Sequence, residues 1–254
     1  MVQSFDFKVA SVSTLVGIIL VSLMTWLTGN DFGSPVFPFM AILSAYIISG
    51  MLIGLISKGE TIAEPGVASI LTGVISYIII SAMAPKCLIH IQGDALAVNM
   101  VLLTLNGIIL TFAGAWAGEK LQGTYEMKQE ETQLIEWGWI VAGTIIGVAT
   151  SLILSNIIIK IYDAYLTPLF ISLTIGIFVT GLIVGLRSPG ITVKEAAFAG
   201  ILTAIINLDI FKFTLDPDTT SLTVLSLIGT LILGLVAALI GGVAGERLQV
   251  NNEE

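Results

Sequence analysis

Two carboxylates stand in matched surroundings, Glu64 in SKGETIAEP (residues 57–65) and Glu195 in SPGITVKEA (188–196). A pair of acids so placed could form a mouth that attracts a cation or polar solute on a two-fold axis. The same residues could instead end one helix and start the next. Gly59 and Gly190 suit the left-handed conformation that closes a helix C-terminus. Thr61 with Glu64, and Thr192 with Glu195, have the Thr-x-x-Glu spacing of a capping box, in which each side chain accepts a backbone N–H at the helix start. A carboxylate there also faces the positive end of the helix dipole. Positions 58, 60 and 63 differ from their counterparts (Lys/Pro, Glu/Ile, Ala/Lys). A cap permits that freedom; a site built on those side chains would not. Capping is therefore the expectation, and the acidic mouth its rival.

Other polar groups are fewer. Glu119 and Glu246 close the fourth and eighth apolar runs, each followed by a base, Lys120 or Arg247. A Glu at a helix C-terminus is disfavoured by the dipole, so its recurrence raises a role in assembly or at a pore mouth beside that of an interfacial stop. Asp209 and Lys212 lie three apart late in the seventh run. They form either an intramembrane ion pair, a functional candidate, or an interfacial pair in which Lys212 snorkels outward. Cys87, His90 and Asp94 have ligand-like spacing, but the chain holds one Cys and one His. Zinc needs four ligands, or three and a water, so no metal is expected. Asn99, Asn106, Asn156 and Asn207 are expected to hydrogen-bond between helices.

No phosphate-binding loop, dinucleotide glycine pattern or zinc motif occurs, and no cofactor is expected. A membrane hydrolase would need a dyad or a metal set, so the chain reads as a non-enzyme. Ten Lys and Arg, a net charge of −8 and no basic cluster argue against nucleic acid. One cysteine permits no internal disulfide.

The elements that must carry these groups are apolar. The chain is 56% hydrophobic and 11% charged, with a mean hydropathy of +1.00; a soluble domain is about 25% charged. Lipid is the matching solvent, and a spanning helix needs about 20 apolar residues. Eight runs qualify, at 10–29, 36–57, 66–84, 96–118, 138–159, 166–187, 195–214 and 222–244, the seventh interrupted by Asn207, Asp209 and Lys212. The first is expected to be a membrane helix rather than a signal peptide. Asp6 and Lys8 leave its flank without net positive charge, and no small-x-small site closes it.

The pattern doubles. Gly50, Gly54, Ser57, Gly59, Thr61 and Glu64 recur 131 residues later as Gly181, Gly185, Ser188, Gly190, Thr192 and Glu195. GAWAGEKLQ (114–122) recurs as GGVAGERLQ (241–249), 127 residues later, and Gly17 pairs with Gly147. Four spans per copy predict parallel repeats: residues 1–118, an acidic linker 119–137, and 138–254. Glycines four apart recur as Gly50/Gly54, Gly114/Gly118, Gly143/Gly147, Gly181/Gly185 and Gly241/Gly245. Such strips let helices approach closely, in internal packing or, alternatively, along a homo-oligomer seam.

Lys8, Lys58, Lys120, Lys128, Arg187, Lys194 and Arg247 fall on the side of both termini, against Lys86, Lys160 and Lys212 opposite. Positive residues mark the cytoplasmic side, so the termini, the linker and both corners are expected in the cytoplasm, in a plasma membrane. The repeated glycines and the S-[KP]-G-x-T-[IV]-x-E corner resemble small, glycine-rich, four-span membrane proteins of bacteria and archaea of unknown function. That resemblance implies two fused units and carries no activity. The expectation is an all-α integral membrane protein acting as a structural or accessory component. Its partners are membrane lipid and a second copy or another membrane protein. The rival is a passive channel or small-solute transporter with a path between the repeats.

Overall fold

The computed structural model describes residues 5–28, 36–57, 63–83, 94–122, 135–162, 166–188, 192–214 and 224–250. They form eight α-helices: α1 Phe7–Thr28, α2 Val36–Ile56, α3 Ala63–Met83, α4 Asp94–Gln122, α5 Trp137–Tyr162, α6 Leu166–Arg187, α7 Thr192–Thr214 and α8 Val224–Val250. Six contain stretches long and apolar enough to cross a membrane: Phe7–Leu27, Ala63–Met83, Val101–Gln122, Trp137–Ile158, Leu169–Arg187 and Leu227–Gln249. A helix satisfies its own backbone N–H and C=O groups, which a segment in hydrocarbon must do. The chain is thus an all-helical, multi-pass membrane protein. In α2 the apolar stretch Ala41–Ile56 is shorter, and α7 carries Lys194, Glu195 and Asp209.

The side chains are distributed for lipid. Leu15, Ile19, Leu23 and Trp26 make an exposed apolar stripe on α1, and Ile228, Ile232, Val236 and Ile240 do so on α8. Small and hydroxylated residues turn inward, including Ser49, Ser69, Thr72, Ser151, Thr180 and Thr203. Water would reverse that preference.

The chain folds as two compact units, Met1–Glu126 and Met127–Glu254. This boundary lies within residues 119–137, at whose ends helical hydrogen bonding persists. Helix α4 continues through Glu119 and Lys120 to Gln122, and Glu136 already caps α5. Glu246 likewise precedes the end of α8 at Val250. Neither Glu therefore ends its helix. The apolar runs stop there, whereas the helical hydrogen bonds continue into the charged turn.

In unit 1, α2 packs along α4, with α1 against α2 and α3, and α3 against α4. In unit 2, α6 packs along α8 and α5, and α7 lies against α5, α6 and α8. The glycine strips form the tightest seams. A Cβ on Gly50 or Gly54 would overlap the backbone carbonyl of Thr111 or Ala115 on α4. One on Gly114 or Gly118 would overlap Ile47 or Met51 on α2. Gly181 and Gly185 stand in the same way against Ala238 and Gly242, and Gly241 and Gly245 against Phe178 and Leu182. Gly143 and Gly147 face Thr180 and Val184 or Gly176 of α6. All ten glycines are buried within their own unit.

The two units differ at one seam. Helices α2 and α3 barely meet, whereas α6 and α7 pack along each other.

Candidate functional site

Helix α1 begins at Asp6. Its Oδ1 accepts the N–H groups of Lys8 and Val9 at 2.9 and 3.2 Å, and its carbonyl accepts that of Ala10 at 3.1 Å. This is an N-cap, satisfying donors the helix leaves open. In a capping box the residue three further on returns a carboxylate to the cap's own N–H, but here that residue is Val9. The acceptor comes from another helix. Glu64, in the first turn of α3 and 4% exposed, takes the Asp6 N–H on Oε1 at 3.0 Å.

Unit 2 repeats the arrangement. The carbonyl of Glu136 accepts the N–H groups of Trp139 and Ile140 at 3.0 and 3.3 Å. The Glu136 N–H donates to Oε1 of Glu195, in the first turn of α7 and 1% exposed, at 2.5 Å. The Ser188 hydroxyl donates to Oε2 of the same carboxylate. Each acid therefore joins the starts of two helices, where both dipoles favour an anion.

In unit 2 this corrects the expected capping box. The Glu195 carboxylate bonds Glu136 and Ser188, and Thr192 Oγ1 is buried with no hydrogen-bond partner. The chemistry of a cap was anticipated, but the helix it serves is a different one. Gly59, Thr61 and Gly190 lie outside the described residues. A carboxylate buried in this way and engaged by donors of its own unit is closed to a passing solute.

The remaining candidates do not assemble around either acid. Glu119 is buried on α4, where Gly54 lets its backbone come close, and Glu246 is half-buried on α8. Asp209 is exposed on α7. Cys87 and His90, and the side chains of Asp94, Asn99 and Lys212, lie outside what the structure describes. Among the described residues no three His, Cys, Asp or Glu side chains come together. The asparagines also differ from expectation. The side-chain amide N–H groups of Asn106, Asn156 and Asn207 donate to Leu102, Leu152 and Thr203, one turn back on their own helices.

One polar feature was not anticipated. Ser69, Thr72 and Ser76 share the buried face of α3 with Pro65 and Ile80, at spacings of three and four residues. Thr72 abuts α1, where a Cβ on Gly17 would lie 2.6 Å from its Oγ1. Ser49 of α2 reaches the Gly17 carbonyl at 3.3 Å. The fully buried Tyr46 lays its ring on Gly107 of α4, with its phenol beside Ser76 but outside hydrogen-bond geometry. The spacing was visible in the sequence; the want of partners was not.

No protein-family model, no curated protein and no solved structure matches this chain.

Proposed function

We propose that this is a non-enzymatic integral membrane protein, a structural or accessory component that packs against a second copy or another membrane protein. One observation carries the proposal: the two recurrent buried carboxylates are committed to backbone and hydroxyl donors inside their own units. The groups best placed by sequence to do chemistry are thus spent on holding helix starts.

The proposal extends to eight spans in two parallel four-helix repeats. Helices α2 and α7 are then spans as well, both termini and the 119–137 segment are cytoplasmic, and the membrane is the plasma membrane. Matched glycine seams and matched carboxylate caps support the repeat, and the Lys and Arg distribution supports the orientation. Kinship with small four-span membrane proteins belongs to the same proposal. A passive path for a small solute is the second reading, favoured by buried hydroxyls in unit 1 that meet no protein partner.

Cross-linking in native membranes tests the first reading, with a stoichiometric membrane-protein neighbour expected. Reconstituted vesicles are expected to leak no more than empty ones. Solute flux that Glu64→Ala and Glu195→Ala abolish while the protein stays assembled would overturn it.

A further inference from the structure

Asn106 is exposed on α4, and one amide N–H donates to the Leu102 carbonyl of the same helix at 2.9 Å. Its Oδ1 and its second N–H have no partner among the described residues. The depth makes this costly. Between Asp94 and Glu119 the helix carries no charged residue, and Asn106 lies halfway, twelve residues from one and thirteen from the other. That is about 18–20 Å along the helix from either charge, at the middle of a hydrocarbon core about 30 Å thick. Polar side chains within spans normally face the bundle interior or pair across helices. Asn156 and Asn207 do face inward, at 3% and 0% exposed.

The residues around Asn106 form a seam. Leu102, Asn106, Ile109 and Ala113 follow one another at spacings of four, three and four. This is the repeat of about 3.5 residues on which two membrane helices pack at about +20°. The first three are exposed and Ala113 is half-buried, with exposed Leu105 and Phe112 beside them.

Unit 2 supplies the contrast. At the offset of 127 that relates α4 to α8, Gly107 falls on Gly234 and Asn106 on Leu233, which is 49% exposed. An apolar residue suits that place where lipid alone meets it. The amide belongs to α4 only.

We propose that this face of α4 is a homodimer interface, in which Asn106 of one copy pairs with Asn106 of a second across a two-fold axis along the membrane normal. Two arguments select a second copy as the occupant. Copies inserted alike carry Asn106 at the same depth, so the axis brings amide to amide. The carboxamide is also complementary to itself in charge. Its Oδ1 is partially negative and its N–H groups partially positive, so two related by a two-fold axis can exchange a pair of hydrogen bonds. The inference rests on the reading of the protein as one that packs against membrane neighbours, and it names the neighbour and the face.

Disulfide trapping tests it. In a Cys87→Ser background, Ile109→Cys stands on the seam and Val236→Cys at the equivalent place on α8. Brief oxidation in reconstituted vesicles is expected to give a covalent dimer from Ile109→Cys and little from Val236→Cys. Adding Asn106→Leu, which installs the unit 2 residue, is expected to raise the protein-to-lipid ratio for half-maximal trapping about 5- to 30-fold. Absence of a dimer through position 109, equal trapping through 236, or trapping that Asn106→Leu leaves unaltered overturns the inference. Trapping of Ile109→Cys to a different protein in native membranes also overturns it, while leaving the accessory reading in place. The solute-flux experiment tests that reading separately.

Discussion

Glu64 takes the Asp6 N–H in unit 1, and Glu195 takes the Glu136 N–H in unit 2. A few turns further in, the units part company. Unit 1 buries Ser69, Thr72, Ser76 and Tyr46 with no hydrogen-bond partner for their hydroxyls, whereas unit 2 has Gly200, a paired Thr203 and Ile177 at the same register. The caps and glycine seams fix where helices start and how closely they run. They constrain backbone positions, which both interiors need alike. Interior side chains inside that frame are freer, and there the two units have taken different chemistry.

The largest expected effect falls on the shared frame. Gly50→Ala and Gly181→Ala each drive a Cβ into a backbone carbonyl, of Thr111 or Ala238. A backbone cannot rotate aside as a side chain can, so each costs at least the 1–3 kcal/mol or so of an overpacked core. Gly229→Ala, with nothing within 4 Å, is expected to be neutral. Unfolding in detergent measures all three. Equal tolerance of the three variants would break the account of the seams, and damage from only one of the first two would break the symmetry between units.

Next come the carboxylates. Glu195→Ala strands the Glu136 N–H and removes the acceptor of the Ser188 hydroxyl, costing about 1–3 kcal/mol. Glu64→Ala acts alike on Asp6. Amide exchange is expected to quicken at the start of α5 in one variant and of α1 in the other. Faster exchange at the start of α7 instead of α5 would restore the local capping box.

The smallest effect separates the interiors. Thr203→Val removes half of the Thr180 pair and is expected to cost about 0.6 kcal/mol, the average for side-chain hydrogen bonds between membrane helices. Thr72→Val breaks no bond to protein and is expected to cost less in equilibrium unfolding. A reversed order would erase the contrast drawn between the two units.

Much of the frame was legible in the sequence. Glycine four residues apart implies close backbone approach whatever the partner, and the strips duly face neighbouring helices. The acids at 64 and 195 were legible as cap chemistry because Glu near a helix start has few other uses. Their partners were not, since Asp6 and Glu136 lie 58 and 59 residues away along the chain. The asparagines misled for a related reason: an amide N–H in an apolar helix finds its own carbonyl one turn back before it finds a neighbour. The hydroxyl column was half legible. Spacing put Ser69, Thr72 and Ser76 on one face, but only the folded structure reveals that no protein group pairs with their hydroxyls.

The account turns most directly on whether the two capped corners are equivalent in the membrane. In a Cys87→Ser background, Gly59→Cys and Gly190→Cys can be challenged in sealed, right-side-out vesicles with a membrane-impermeant thiol reagent. The proposed parallel repeats with cytoplasmic corners predict that neither reacts until the membrane is permeabilised, and that both then do. Labelling of one corner from outside while the other stays protected would contradict them.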